Sequence, residues 1–179
     1  METKPDDSSG IGSENVQMEI ASLVGKMTLT NNDKDYIARK GGQVLVNMLS
    51  SSNIKGKASS LRALYNLSTL DDNATILVDM GVLPALTNIL FTTQQDDLKH
   101  LAASTIANIV SNTGHWELSS ADKEGNLMQS EFIIHRLLEL LSQSSCTCQA
   151  AILHILWGVA SSPQASGVLP GFYLVSCEI

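Results

Sequence analysis

The side chains best suited to chemistry are two cysteines and a histidine near the end of the chain, Cys146, Cys148 and His154. A thiolate beside a histidine can serve as a nucleophile or as a metal ligand. We expect Cys148 at the start of a long helix, where the helix dipole would lower the pKa of its thiol. The Cys-x-Cys spacing is unlike that of familiar zinc sites, and no second cluster of Cys and His accompanies it. Core-facing cysteines are therefore the favoured interpretation, and a thiol- or metal-dependent enzyme is the weaker alternative.

Two pairs of acids, Asp71-Asp72 and Asp96-Asp97, fall where loops open into predicted helices. Their simplest role is N-capping and stabilisation by the helix dipole. The sequence also lacks a glycine-rich phosphate loop, a Walker motif and a nucleophile elbow. We therefore predict a protein that is not an enzyme and that has no catalytic residues, metal or cofactor.

The elements that position these residues must be mainly helical. The chain has 179 residues, a length typical of one domain, and its hydrophobic content of 44% is enough to form a core. Aromatic residues make up only 4% of the chain, whereas β-sandwiches and barrels are usually richer in them. The three cysteines, of which Cys177 is the last, are odd in number and late in the chain. This pattern disfavours a disulfide scaffold and predicts a reducing compartment, in the cytoplasm or the nucleus.

The distribution of charge limits the classes of partner. The net charge is −7, and the cations concentrate in residues 26–62, between two acidic stretches. Nucleic-acid-binding domains are usually strongly basic, so we predict no nucleic-acid partner. The most apolar run covers residues 150–160, which is too short for a bilayer that needs about 20 residues. We accordingly predict no membrane partner.

Four segments align with one another, at residues 18–29, 58–70, 100–112 and 150–162. Within each segment the apolar positions are three residues apart, which places them on one face of a helix. The three apolar columns read Val24, Leu64, Ile106, Leu156; Met27, Leu67, Ile109, Val159; and Ala21, Leu61, Ala103, Leu153. The same face recurring at about 40 residues predicts a helical solenoid.

Shorter apolar helices are predicted before the last three segments. Gly41 and Gly81 stand where a sharp turn from a still earlier helix would need a residue without a Cβ. Asn32 and Asn73 are suitable N-caps for those earlier helices. The predicted unit is therefore a short helix, a glycine turn, a middle helix, a polar loop and a long helix.

This unit resembles the armadillo repeat. The resemblance lies in the segments "ARKGGQVLVNML…SSLRALYNLST" and "VDMGVLPALTNIL…AASTIANIVSN". HEAT repeats stack their helices by the same physical principle, but the glycine turn and the Asn of the long helix favour an armadillo repeat. The sequence is also similar to those of armadillo-repeat proteins of plants. The resemblance implies an all-α, right-handed solenoid of three-helix repeats. The predicted parts are a disordered acidic tail at 1–12, a solenoid over 13–162 with repeats at 13–31, 32–72, 73–112 and 113–162, and an irregular apolar tail at 163–179.

The resemblance implies a protein-binding role, since the long helices of such solenoids line a concave groove that suits an extended peptide. The positions that match the groove Asn of the family and carry Asn here are Asn66 and Asn108, each of which could instead tie its helix to the neighbouring one. Lys26 falls in the same column, and the residues one turn earlier are Ser22, Arg62, Ser104 and His154. Importin-α-like proteins carry Trp there, so binding of classical import signals is not expected. Lys26 and Arg62 favour an acidic or phosphorylated partner.

The third complete repeat contains an insertion at residues 113–129, and Trp116 within it is a candidate contact for a partner. The alternative is that Trp116 folds back as a local cap. Residues 140–177 contain no Asp, Glu, Lys or Arg. Such an end could self-associate or dock into a larger assembly, as a truncated array would. The sequence therefore predicts an adaptor or scaffold, with a self-associating fragment as the alternative.

Overall fold

The computed structural model describes residues 8–112 and 115–163. Within those residues the chain forms eight α-helices, one 3₁₀ helix and no β-strand beyond a single isolated bridge between Ser120 and Leu127. The helices are α1 (Ser8–Lys26), α2 (Asn31–Met48), α3 (Ile54–Ser68), α4 (Asp71–Asp79), α5 (Val82–Thr92), α6 (Asp96–Val110), α7 (Glu131–Gln143) and α8 (Cys146–Ala160), and the 3₁₀ helix η1 (His115–Leu118) precedes α7.

The helices stack in two layers. The long helices α1, α3, α6 and α8 pack side by side in chain order, each against the next. Helices α2, α5 and α7 form the second layer, and each lies against the long helix that follows it in the chain. Because every repeat buries its apolar face on its neighbour, the core runs along the whole stack. The all-α solenoid predicted from the repeat is confirmed.

The apolar columns of the long helices form most of this core. Leu61, Leu64, Leu67, Ile106 and Ile109 have no exposed side-chain surface. Two members of the columns depart from the pattern, because Met27 and Leu153 are more than half exposed. They lie on the first and the last long helix, where one side of the stack has no neighbouring helix among the described residues.

The two predicted glycine turns have different outcomes. Gly81 adopts a left-handed backbone conformation with φ 75° immediately before α5, as predicted. The turn predicted at Gly41 is wrong, because α2 runs unbroken through both glycines that follow Lys40. Gly42 instead permits close packing, since a Cβ there would lie 2.8 Å from the sulfur of Met80. The sequence could not distinguish a turn glycine from a packing glycine.

The predicted N-caps also require correction. Thr30 rather than Asn32 caps α2, and its side chain accepts from the backbone N–H of Asp33 while the Asp33 carboxylate accepts from Thr30. Such a capping box satisfies two donors that the helix itself leaves unpaired. Asn73 lies inside α4, fully buried, and its Nδ2 donates to the carbonyl of Leu67 at 2.9 Å. It therefore joins α4 to the end of α3.

The predicted segment boundaries shift at the start of the chain. Helix α1 already begins at Ser8, so the tail predicted over 1–12 is corrected to end before that residue. The remainder of that tail, residues 1–7, lies outside the described residues, as do 164–179 of the predicted C-terminal tail. Among the described residues no single helix is both long and apolar enough to cross a membrane, although α4 and α5 meet that test together across a 90° bend.

Candidate binding face of the long helices

Side chains from all four long helices line one face of the stack, which we call the long-helix face. Its members are Lys26 on α1, Arg62 and Asn66 on α3, Ser104 and Asn108 on α6, and His154 on α8. Lys26, Arg62 and His154 are exposed, and Ser104 and the two asparagines are half-buried. Because the long helices pack in chain order, these positions form a row across the stack.

The cations of this face meet at the junction of α1 and α3. The backbone of Gly25 approaches α3 so closely that a Cβ there would lie 2.8 Å from the Cβ of Arg62. Arg62 therefore starts beside the last turn of α1, where Lys26 is the neighbouring residue. Among the described residues neither cation has an ion-pair partner. The structure thus places two cations without ion-pair partners on adjoining helices at one end of the row.

The asparagines tie the long helices together. Nδ2 of Asn66 donates to the carbonyl oxygens of Val24 at 2.7 Å and Met27 at 3.0 Å, next to the C-terminus of α1. Nδ2 of Asn108 donates at 3.0 Å to the hydroxyl of Ser68 on α3. The helix-tying role that the sequence left open is therefore present at both positions. In the described residues, neither Oδ1 atom accepts a hydrogen bond, so each amide keeps an acceptor for a partner.

Trp116 is not available as a loop contact. Its side chain is only 3% exposed, and its indole N–H donates to the carbonyl of Asn112 at 2.6 Å. The indole therefore closes the C-terminal end of α6 and fills the space beside it. This corrects the exposed contact predicted from the insertion and agrees with the alternative of a local cap.

Trp157, which the sequence analysis did not select, is the most exposed aromatic ring described, at 71%. It lies one turn after His154 on α8, beside the column that carries Asn66 and Asn108. In the alignment of the long helices Trp157 stands in a column with Gly25, Tyr65 and Ala107, and this column was the sequence signal. Tyr65, the other aromatic residue of this column, is also partly exposed, at 39%.

Of the two cysteines that the structure describes, Cys148 faces the core as predicted and Cys146 does not. Cys146 is exposed, whereas Cys148 is buried, and burial raises the pKa of the Cys148 thiol despite a hydrogen bond with Ser144 that lowers it. The lowered pKa expected from the helix dipole is therefore wrong. Among the described residues no group of three or more His, Cys, Asp or Glu side chains could hold a metal ion.

The paired acids lie in the first turns of two helices but do not act as their N-caps. Asp71 and Asp72 lie in the first turn of α4, and Asp96 and Asp97 in the first turn of α6. The N-cap residues of the two helices make no side-chain capping bond. The N-capping predicted for these acids is thus wrong, and a favourable interaction with the helix dipole remains.

Comparison with solved structures supports the architecture. An engineered protein, Northeast Structural Genomics Consortium target OR329, is similar with a TM-score of 0.63 and 25% identity, covering 90% of this chain and 60% of the other. A designed armadillo repeat protein, YIII(Dq.V1)4CPAF in complex with the peptide (KR)4, is similar with a TM-score of 0.64 and 18% identity, covering 89% of this chain and 62% of the other.

Sequence relatives point to the same repeat. U-box domain-containing protein 44 of Arabidopsis thaliana is 30% identical over 157 residues, which are 86% of this chain and 19% of that relative. U-box domain-containing protein 24 of Oryza sativa subsp. japonica is 29% identical over 167 residues, covering 84% and 20%. The chain thus spans about a fifth of the length of these relatives. The Armadillo-like family matches residues 8–134, and the chain belongs to that family.

Proposed function

We propose that the chain is a non-catalytic protein-interaction module that binds an extended peptide segment along the long-helix face. The observation that carries the proposal is the pair of unneutralised cations, Lys26 and Arg62, at one end of a row that contains two free amide acceptors. The armadillo fold typically mediates protein or peptide binding, and a designed relative of this fold is in complex with a peptide. The odd number of cysteines supports a cytoplasmic or nuclear setting.

The spacing of the asparagines suits an extended backbone. Adjacent packed helices are about 8–10 Å apart, and an extended chain advances about 3.3 Å per residue. One repeat therefore corresponds to about three residues of a bound peptide. The free Oδ1 atoms of Asn66 and Asn108 would accept hydrogen bonds from peptide N–H groups, and those bonds would not depend on the peptide's side chains.

The charges of the face select the chemistry of the peptide. The designed relative holds (KR)4, a peptide of alternating cations. Here the exposed cations Lys26 and Arg62 would repel such a peptide and attract carboxylate or phosphate groups. We therefore propose an acidic or phosphorylated segment as the ligand. Arg62 is the better anchor of the two, because its planar guanidinium can bind a carboxylate or phosphate through two parallel hydrogen bonds.

Fluorescence anisotropy with labelled peptides tests this proposal. The probes are an acidic peptide, the same peptide carrying phosphoserine, and a Lys-Arg peptide of equal length. We expect Arg62→Glu and Lys26→Glu each to weaken binding of the acidic probes about tenfold, which corresponds to about 1.4 kcal/mol. Lys40→Glu is the matched control, because Lys40 is exposed on α2, outside the long-helix face.

Two results would overturn the proposal. The first is wild-type affinity of the acidic probes for both charge-reversed variants. The second is equal loss of binding in the Lys40 control, because that loss would reflect net charge alone. Tighter binding of the Lys-Arg peptide than of the acidic probes would reject the ligand chemistry while leaving the binding role in place.

A further inference from the structure

Helix α1 carries an exposed apolar stripe along one face. Its members, Val16, Ile20, Leu23 and Met27, are between 54% and 59% exposed. Their spacing of four, three and four residues aligns them on the same side of the helix. The opposite side of α1 packs on α3 through Ala21, Val24 and the close approach of Gly25. We call this set of four residues the α1 stripe.

The same positions are buried in every later long helix. They are Gly56, Ser60, Ala63 and Leu67 on α3; Leu98, Ala102, Thr105 and Ile109 on α6; and Cys148, Ile152, Ile155 and Val159 on α8. Two contacts show what covers them on α3, since Ser60 donates to the carbonyl of Leu45 on α2 and Ala63 lies beside Gly25 on α1. The α1 stripe is therefore a repeat-stacking surface without its cover in the described chain.

The other end of the stack presents the complementary surface. Leu153 and Trp157 on α8 are 52% and 71% exposed. The corresponding residues on α6, Ala103 and Ala107, are buried where the next long helix packs. On α3, Leu61 is buried as well, whereas Tyr65 stays 39% exposed. Helix α8 also contains no Asp, Glu, Lys or Arg. We call the surface formed by Leu153 and Trp157 the α8 end face.

We propose that a second copy of this chain docks its α1 stripe onto the α8 end face of the first copy. The argument rests on continuity with an interface that the molecule already contains. The long helices pack on one another in chain order, and the contact of α1 with α3 joins the two kinds of position, because Gly25, which aligns with Trp157, lies against the backbone of Ala63, which aligns with Leu23. The contact continues the stacking of long helices beyond the ends of one chain.

The symmetry of this contact sets its behaviour in solution. The two surfaces differ, so the contact is heterologous and leaves one unpaired surface at each end of the assembly. Copies therefore add to both ends as the concentration rises, and the result is a series of oligomers rather than a closed dimer. The uncharged α8 end face makes the contact apolar, so salt should weaken it little.

Sedimentation velocity on the full chain over a wide concentration range tests the proposal. The α1 variant is Leu23→Lys with Met27→Lys, and the α8 variant is Trp157→Lys; all three side chains are exposed, so the fold should be retained, which circular dichroism checks. We expect oligomers for the wild type and monomers for each variant alone. Leu118→Lys is the control, because Leu118 is 79% exposed on η1 and belongs to neither surface.

Mixing the two variants gives the decisive result. The α1 variant keeps an intact α8 end face, and the α8 variant keeps an intact α1 stripe, so an equimolar mixture should form a one-to-one dimer that cannot grow. Several outcomes would overturn the proposal: a wild type that stays monomeric throughout, oligomers that persist in either variant alone, or a mixture that remains monomeric. Loss of association in the Leu118 control would also overturn it.

Discussion

The side chain of Asn66 closes the end of α1 from the neighbouring repeat, because its Nδ2 donates to the carbonyl oxygens of Val24 at 2.7 Å and Met27 at 3.0 Å. Carbonyl groups in the last turn of a helix lack partners within that helix. One amide therefore satisfies two such acceptors and fixes the distance between α1 and α3.

Removing this amide should weaken the junction between the first two long helices. We expect Asn66→Ala to lower the free energy of unfolding by about 1–2 kcal/mol. Asn66→Asp should cost more, because a carboxylate would face two carbonyl oxygens without a proton to donate. Urea unfolding followed by circular dichroism measures both effects. A wild-type unfolding curve for Asn66→Ala would show that the two bonds contribute nothing net.

Gly158 should tolerate no side chain. A Cβ at this position would lie 2.8 Å from the backbone oxygen of Val110, and backbone cannot move aside as a flexible side chain can. We expect Gly158→Ala to lower the free energy of unfolding by about 1–3 kcal/mol. Gly41→Ala is the matched control within a helix, because nothing lies within 4 Å of a Cβ there. It should stabilise α2 by about 0.5–1 kcal/mol, and equal effects in thermal melts would contradict the packing at Gly158.

The two tryptophans should give distinct fluorescence signals. Trp116 is buried, whereas Trp157 is largely exposed. Acrylamide should therefore quench the emission of a Trp116→Phe variant, which reports on Trp157, far more strongly than that of a Trp157→Phe variant. Trp116→Ala should also destabilise the fold by about 3–5 kcal/mol, since it empties a buried site and loses the bond to Asn112. Equal quenching of the two single-tryptophan variants would contradict the cap at the end of α6.

The capping box of α2 should make stability sensitive to acid. The hydrogen bonds from Thr30 hold the pKa of Asp33 below its usual value. A carboxylate with a lowered folded pKa stabilises the fold above its unfolded pKa, which is about 4, and loses that contribution as the pH falls through the folded value. We expect Asp33→Asn to lower the melting temperature at pH 7 and to have a smaller effect at the lowest pH at which the protein stays folded. A pH-independent difference between the variant and the wild type would argue against this linkage.

Repetition explains why the architecture could be predicted from a single sequence. A helical period that recurs every 40 residues allows few folds, because each unit can bury its apolar face only on a neighbour. The columns led by Val24 and Ala21 predicted the long helices and most of the core before any coordinates were considered. The glycine at position 81 likewise predicted a turn, since a left-handed backbone conformation favours glycine.

Details that depend on an approach between distant residues could not be predicted in this way. Gly42 packs against Met80 of α4, and Trp116 is buried in the core that several helices share. The free acceptors of Asn66 and Asn108 appear only once the partners of their donors are known. The sequence by itself determined the repeat, its helical class and the candidate row of polar residues, because these follow from local periodicity. Only the tertiary structure decided which of those side chains remain available and which apolar surfaces stay uncovered, because both depend on what packs against each helix from a neighbouring repeat.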